Sequence, residues 1–262
     1  MRKIDINESH TLLLSIAKVF DKICTEHDIP YYMLGGTMLG AIRHKGFIPW
    51  DDDMDFGVPR PFYNKLIEVL EKELPYPYKC CTFINCDAVK TPFLKIADTR
   101  TFIDDPRVKL PIEKQIGLNV DIFPLDYCDI KDPSIKKIYR LRRIFQLIYI
   151  DSTKNNWFKS SVKFMLRLLI PVEYKKVLRK INQFAESLNK GEYLANVFGR
   201  WKSKEIIPIS WYGIGTRYKY EDITLCGLYE YDKYLNQMYG DYMKLPPIDK
   251  RDPHANNVYI NE

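Results

Sequence analysis

Residues 31–59 read YYMLGGTMLGAIRHKGFIPWDDDMDFGVP, a stretch that combines a glycine pair with a cluster of aspartates. The apolar run at 31–34 predicts a short strand, and Gly35-Gly36 predicts a tight turn. Thr37 is then expected to cap a helix over residues 38–42. The segment therefore predicts strand, glycine turn and helix in immediate succession.

Four aspartates follow within five positions, at Asp51, Asp52, Asp53 and Asp55. They would repel one another unless a cation or a basic ligand neutralises them. Apolar residues alternate with acids over 51–59, which predicts a strand with Asp53 and Asp55 side by side on one face. Oxygen ligands of this kind suit Mg²⁺, with Mn²⁺ as a second candidate. A solvated acidic turn is the competing interpretation, and the glycine turn upstream favours the metal site.

A third acid, Asp121, lies in a segment with strand periodicity at 117–123. Pro124 is expected to end that strand and to leave Asp126 in a turn. Asp121 is a candidate to complete a metal site or to accept a proton from an attacking hydroxyl.

Glycine and basic residues near these acids are candidates for binding phosphate. A glycine turn that opens a helix presents backbone N–H groups to an anion. Lys95 lies between apolar neighbours on a predicted strand, so it requires an anionic partner, either Asp121 or a bound phosphate. Arg100 is a similar candidate. Arg43 and His44 either face a diphosphate or balance the acids at the surface.

The pattern predicts an α/β (α+β) fold with a mixed sheet flanked by helices. Helices are expected over 8–27 and 61–74, a strand over 93–97, and mainly helices beyond 131. A boundary near Lys131 divides a catalytic core, 1–130, from a mainly helical basic region, 131–262, whose C-terminal segment returns to the core.

The composition is that of a globular protein, with 262 residues, 46% of them hydrophobic, and a net charge of +6. Disorder is excluded by this apolar content. No uncharged apolar run reaches the roughly 18 residues that cross a bilayer, and the N-terminus lacks the features of a secretory signal. The six cysteines form no CxxC pair, which predicts reduced thiols in a cytoplasmic protein.

The charge is unevenly distributed, because residues 131–180 sum to +11 and the remainder to −5. Within this region WFKSSVKFMLRLLI, residues 157–170, places Lys159, Lys163 and Arg167 on one helical stripe, with apolar residues opposite. The pattern fits a helix lying on an anionic membrane, and equally an amphipathic helix packed on its own domain.

A glycine turn, a D-x-D strand and a lone Asp on a later strand form the constellation of the nucleotidyltransferase fold. Three stretches also resemble the LicD family of phosphotransferases, which includes fukutin-like proteins: GGTMLGAIRHKGFIPWDDDMDFGVPR at 35–60, VDIFPLD at 120–126 and MYGDYMKLPP at 238–247. The matching motifs lie toward both ends of the chain, whereas residues 131–217 resemble the family only in general character and contain none of these motifs.

This resemblance implies transfer of a phosphoalcohol, with phosphocholine first, from a CDP-linked donor to a sugar hydroxyl of a cell-surface glycan. Teichoic acid, lipopolysaccharide and capsule precursors are the implied acceptors, lipid-linked or polymeric. Carried over by motif, Asp53 and Asp55 would bind Mg²⁺, and Asp121 would join them or act as base. Gly35, Gly36 and Thr37 would hold the donor phosphate.

The implied location is the cytoplasmic face of the cell membrane, with peripheral contact through residues 131–180. Nucleic acid is not an expected partner. Two other functions stay open: a nucleotidyltransferase acting on a small molecule or an RNA end, and a non-catalytic adaptor at the membrane surface.

Overall fold

The computed structural model describes residues 1–105, 110–150, 161, 165, 173–251 and 257–261. The described strands are β1 (Arg2–Lys3), β2 (Tyr32–Met33), β3 (Asp55–Pro59), β4 (Tyr78–Cys81), β5 (Leu94–Asp98), β6 (Thr101–Asp104), β7 (Asn119–Cys128), β8 (Tyr193–Ala195), β9 (Ile206–Pro208), β10 (Thr216–Tyr220), β11 (Ile223–Gly227) and β12 (Asn257–Ile260). The described α-helices are α1 (Ile6–Glu26), α2 (Gly35–Arg43), α3 (Arg60–Glu73), α4 (Pro133–Tyr149), α5 (Tyr174–Glu186), α6 (Ile209–Tyr212) and α7 (Tyr231–Tyr239).

A mixed seven-stranded sheet forms the centre of the fold. Its main order is β2-β3-β7-β5-β4, and β8 and β9 extend it from the second half of β7. β3 and β7 run parallel, whereas the other pairs of this sheet are antiparallel. A smaller sheet has the order β1-β12-β6, and β10 and β11 form a hairpin. The predicted α+β class, a mixed sheet flanked by helices, is confirmed.

The first helix covers one face of the sheet. A capping box starts α1, with the Asp5 side chain accepting from the Glu8 backbone N–H and the Glu8 side chain accepting from the Asp5 backbone N–H. Its buried face includes Leu13 and Phe20, and the Phe20 ring lies 4.9 Å from that of Phe56 on β3. The helical spacing of apolar residues therefore buries α1 against the sheet, as predicted.

The prediction that Pro124 ends its strand is wrong. Pro124 falls between Ile122, the last position on β7 paired with β5, and Asp126, the first paired with β8. On the other edge of β7, Pro124 lies opposite Val58 of β3, but N–H groups alternate in direction along a strand and that of Asp121 points toward β3. An N–H at position 124 would point to the opposite edge, where neither β5 nor β8 pairs with that position, so proline costs the sheet no hydrogen bond there. Asp126 consequently lies on the strand, is 1% exposed, and accepts hydrogen bonds of 2.6 and 2.8 Å from Arg60.

The glycine turn and the acidic strand also begin differently from the prediction. The helix α2 starts at Gly35 with Leu34 as its N-cap residue, so Thr37 is not the cap. The Thr37 hydroxyl instead accepts a 2.8 Å hydrogen bond from the Asp55 backbone N–H. Because β3 begins at Asp55, Asp53 lies in the segment that precedes the strand.

The second half of the chain packs onto the first in several places. α4 packs on α5, α7 packs on α2, and β12 lies between β1 and β6. One buried apolar cluster includes residues on both sides of position 131, so the division into two regions stays a prediction. The stretch 157–170 lies outside the described residues, except for 161 and 165. Among the helices that the structure describes, none has the length and apolar content needed to cross a bilayer.

Candidate active site

Three charged side chains lie in register on neighbouring strands. Asp55 on β3 pairs with Asp121 on β7, and Asp121 pairs with Lys95 on β5. Residues directly opposite one another in a sheet point to the same face, so all three share one face. The next residues along β3 and β7, Phe56 and Ile122, are fully buried on the other face. The sheet thus presents the charges on one side and the apolar core on the other.

Lys95 and Asp121 form an ion pair, and the Lys95 Nζ atom also lies 3.0 Å from Asn119 Oδ1. Both charged side chains are largely buried, at 16% and 21% exposed. Of the two partners anticipated for Lys95, the structure shows Asp121. The pair fixes the Asp121 carboxylate in position beside Asp55.

The acidic turn before β3 gathers oxygen ligands. Carboxylate oxygens of Asp51, Asp52 and Asp53 lie within 4.8 Å of one another. His10 on α1 holds this turn, because its Nε2 atom lies 2.6 Å from the Asp51 carbonyl oxygen and its ring stacks on Phe47. Among the described residues, these three aspartates are the acidic group whose oxygens lie this close together, and the metal set of Asp53, Asp55 and Asp121 stays a prediction.

The carboxylates at the start of β3 suit a divalent cation. Desolvation raises the pKa of Asp55, and the negative charges of Asp53, Asp121 and Asp51 raise it further. A donor set made only of carboxylate oxygens fits Mg²⁺ or Mn²⁺. The residues present thus fit the predicted metal, with Asp53 and Asp55 as its candidate ligands.

The glycine turn lets the acids approach the start of α2. Gly35 has a φ of +50°, and its N–H donates a 2.8 Å hydrogen bond to the Tyr234 hydroxyl. A Cβ on Gly35 would lie 3.3 Å from Asp55 Oδ2, and one on Gly36 would lie 2.4 Å from Asp51 Oδ2. The positive φ favours glycine at position 35, and at position 36 a side chain would force the Asp51 carboxylate to move.

Tyr239, at the end of α7, completes this corner and was missed in the sequence. A Cβ on Gly35 would lie 3.7 Å from its hydroxyl, which places the hydroxyl beside Asp55. Burial raises the pKa of Tyr239, and the charges of Asp55 and Asp51 raise it further, so the hydroxyl keeps its proton. Tyr239 belongs to the motif MYGDYMKLPP, but no pattern within that motif distinguishes it from its neighbours.

The acids and the glycine turn form the floor of a cavity of about 790 Å³. This volume lies in the range of small-molecule and cofactor sites. The opposite wall comes from α4, α5 and the loop 196–205, and it is strongly basic. The cationic residues that line the cavity are Lys90, Arg142, Arg143, Arg200 and Lys202.

Arg142 ties α4 to the loop. Its guanidinium donates hydrogen bonds to the carbonyl oxygens of Val197, Phe198 and Gly199. Part of the basic region predicted to meet a membrane therefore faces inward and shapes the cavity wall.

Glu205 holds the same loop from the other side. It is 7% exposed and accepts 2.7 Å hydrogen bonds from the Trp201 backbone N–H and from Asn196 Nδ2. Burial raises the pKa of Glu205 to about 7. Nothing in the sequence pattern singled out this carboxylate.

The raised pKa of Glu205 has a measurable effect on stability. A carboxyl whose folded pKa exceeds its unfolded value of 4.5 binds an extra proton in the folded state. Stability is therefore lost as pH rises from the unfolded value toward 7, by about 3 kcal/mol in all. Glu205→Gln is expected to remove most of that loss. Urea unfolding of wild type and Glu205→Gln at pH 5 and pH 8 measures the change in the free energy of unfolding. An equal decrease in both proteins would contradict the raised pKa of Glu205.

Several predicted site residues lie outside the cavity lining. Arg43 donates a 2.7 Å hydrogen bond to the Tyr242 carbonyl oxygen, so it docks the late motif onto α2. His44 lies beside Arg43 and the Trp50 ring. Desolvation lowers the pKa of both Arg43 and His44. Arg100 donates three hydrogen bonds to the buried Asp98 carboxylate, two from its guanidinium and one from its backbone N–H.

Comparison with known proteins agrees with this geometry. The family model described as LicD/FKTN/FKRP, nucleotidyltransferase domain, matches residues 28–178. The chain is 30% identical to the lipopolysaccharide cholinephosphotransferase LicD of Haemophilus influenzae, over 97% of both chains. Two uncharacterized proteins match shorter stretches. One from Rickettsia typhi is 39% identical over 22% of this chain and 19% of its own length, and one from Rickettsia prowazekii is 44% identical over 18% and 17%.

The family match includes the glycine turn, the acidic turn, Lys95 and Asp121, which the fold brings to one face of the sheet. The similarity to the Haemophilus protein extends over the basic wall as well. The chain therefore belongs to the LicD family.

Proposed function

We propose that this protein transfers a phosphoalcohol from a CDP-linked donor to a sugar hydroxyl of a lipid-linked or polymeric cell-surface glycan. The observation that carries the proposal is the cavity, in which four carboxylates and a glycine turn face a basic wall. The name of the Haemophilus relative makes phosphocholine the first candidate group and lipopolysaccharide the first candidate acceptor. Teichoic acid and capsule precursors are further candidates.

Each part of the cavity has a role in this reaction. Phosphoryl transfer depends mainly on positioning and on neutralising charge. Asp53 and Asp55 would hold Mg²⁺, or Mn²⁺, which when bound supplies positive charge to the phosphoryl oxygens. Arg143 and Lys202 on the opposite wall stabilise the departing CMP.

The floor of the cavity supplies the base and the orientation of the substrate. Asp121, fixed by Lys95, accepts the proton of the attacking hydroxyl. The Tyr239 hydroxyl beside Asp55 donates a hydrogen bond to the substrate phosphate. The start of α2, at Gly36, adds its backbone N–H groups to the same phosphate.

A panel of CDP-linked alcohols tests this function. We expect CMP release that requires Mg²⁺ or Mn²⁺ and that differs among CDP-choline, CDP-ethanolamine, CDP-glycerol and CDP-ribitol. Absence of CMP release with every donor, in the presence of either metal and a glycan acceptor, would reject the proposal.

Two alternatives make different predictions. A nucleotidyltransferase would release pyrophosphate from a nucleoside triphosphate, whereas the proposed reaction releases CMP. A non-catalytic adaptor would bind its partner without turnover. It would not need several carboxylates close to Asp55, which raise the pKa of Asp55 and make its ionised form unfavourable in the folded state.

Peripheral attachment to an anionic membrane at the cytoplasmic face belongs to the same proposal, because a lipid-linked acceptor lies there. On α4, Ile144 and Leu147 are exposed, which supports it. Other cations of the region contact the protein itself: Lys137 lies over the Phe184 ring, and Lys175 pairs with Asp87.

Cosedimentation with vesicles that contain phosphatidylglycerol tests this attachment. We expect binding that falls when Lys159, Lys163 and Arg167 are all replaced by Glu, since each cation near an anionic surface contributes about 1 kcal/mol. Unchanged vesicle binding in this triple variant would show that the stretch 157–170 does not attach the protein to the membrane.

A further inference from the structure

A second cavity, of about 430 Å³, adjoins the first at the acids. Asp53 and Asp121 line both cavities, as do Lys90 and Thr91. The proposed reaction centre at Asp53 and Asp121 therefore lies between the two cavities and contributes to the lining of both.

The two cavities differ in chemistry. The larger one has five cationic residues, as described above, whereas the second has Lys90 and Lys95, and Lys95 is paired with Asp121. The second cavity therefore does not carry the excess of positive charge that a diphosphate requires.

Its remaining lining combines hydrogen-bonding groups with apolar surface. Carboxylates come from Asp52 and Asp105, and carboxamides from Gln115 and Asn119. The apolar part consists of Ala88, Val89, Ile103, Ile116, Leu118, Ile150 and Val258. Gln115 accepts a hydrogen bond from the Asp105 backbone N–H and donates one to the Leu110 carbonyl oxygen, and Asn119 accepts one from Lys95 and donates one to the Gly117 carbonyl oxygen. Each carboxamide therefore keeps one further N–H and one further lone pair for a neutral hydroxyl. The carboxylates accept hydrogen bonds from such hydroxyls, and apolar surface suits the C–H face of a sugar ring. This lining matches an uncharged polyhydroxylated ligand.

The geometry of phosphoryl transfer gives the second cavity its place in the reaction. Attacking and leaving oxygens lie roughly in line, on opposite sides of the transferred phosphorus. When the donor is bound in the basic cavity with the phosphorus of its phosphoalcohol at the acids, the bond to CMP breaks and CMP departs toward α4 and the loop 196–205. The attacking hydroxyl must then arrive from the other side of Asp53 and Asp121.

We propose that the second cavity is the binding site for the acceptor sugar, and that its hydroxyl reaches the reaction centre past Asp121. This inference rests on the proposed function for the direction of transfer. The strand β12 contributes to this site, because its residue Val258 lines the second cavity.

Filling each cavity separately tests the inference. Ile116 is half-buried and lines the second cavity, so Ile116→Trp reduces the space in it. Gln146 lines the first cavity, and Gln146→Trp is the matched control. Ile116→Phe is the milder variant if Ile116→Trp does not fold.

The primary readout is binding of methyl galactoside, methyl glucoside and methyl N-acetylgalactosaminide, measured by saturation-transfer difference NMR without donor. We expect sugar binding to weaken about tenfold in Ile116→Trp and to persist in Gln146→Trp. Calorimetry with CDP-choline and Mg²⁺ is expected to show the reverse pattern.

Sugar signals that are equal in wild type and both Ile116 variants, or absent from wild type, would overturn the inference. So would a loss of sugar binding in Gln146→Trp that matches the loss in Ile116→Trp. Failure of the proposed function is a separate result, because it appears as missing CMP release while the sugar signals still follow this pattern.

Discussion

Asp55→Asn is expected to lower the rate of CMP release by about a thousandfold, because it removes a proposed metal ligand that lines the cavity. The same change is expected to raise the Tm of the metal-free protein. Desolvation and neighbouring charges raise the pKa of Asp55, so its ionised form costs free energy in the folded state at neutral pH. The replacement of Asp55 by Asn is therefore expected to raise the stability of the metal-free protein and to lower its activity when metal is present.

Measurement of both quantities, with Mg²⁺ and with EDTA, separates a metal ligand from a structural residue. Wild type should gain Tm when Mg²⁺ is added, and Asp55→Asn should gain little. Asp222→Asn is the matched control, because this exposed aspartate pairs with Lys18 on the surface. Retained activity in Asp55→Asn would overturn the metal assignment, and a lowered Tm in EDTA would overturn the account of crowded charge.

Asp126→Ala is expected to destabilise the fold by about 3–5 kcal/mol, because it leaves the Arg60 guanidinium largely buried without its main partner. The Asp126 side chain is 2% exposed and that of Arg60 is 13% exposed. Glu186 lies 3.6 Å from Arg60 and is half-exposed, so it offers only partial compensation. Urea unfolding at pH 7 measures the loss.

Two comparisons make this prediction specific to the buried pair. The double variant Arg60→Met with Asp126→Leu is expected to lose less than Asp126→Ala, since no unpaired charge stays buried. Disruption of the surface pair by Asp222→Asn is expected to cost less than about 1 kcal/mol. A loss in Asp126→Ala as small as that of the surface variant would show that the pair is not structural.

Local periodicity was sufficient to predict α1 and the part of the acidic strand from Asp55 onward, although not the ends of the strands that carry Asp55 and Asp121. The helical spacing in α1 and the alternation along β3 each reflect burial on one side, which a single segment displays by itself. The need for an anionic partner at Lys95 followed from its apolar neighbours, and Asp121 supplies that partner.

Features that depend on distant parts of the chain could not be read in the same way. Pro124 lies within a strand because β7 changes partners at that point, from β5 to β8. Arg142 contacts carbonyls about 55 positions away, and that separation leaves no local pattern.

The buried carboxylate and the tyrosine of the site were hidden for similar reasons. Glu205 stands among polar residues in the sequence, at KSKE, and only the fold buries it. Tyr239 belongs to a motif that the resemblance identified, but its approach to Gly35 arises from the packing of α7 on α2.

Phosphorus NMR of a single reaction measures whether the protein transfers phosphocholine to lipopolysaccharide and releases CMP. The mixture contains the protein, CDP-choline, Mg²⁺ and a lipopolysaccharide acceptor. The account predicts that the diphosphate resonances of the donor decrease while CMP and a phosphodiester on the acceptor increase in equal amounts. An unchanged CDP-choline spectrum, together with pyrophosphate release when CTP replaces the donor, would contradict it.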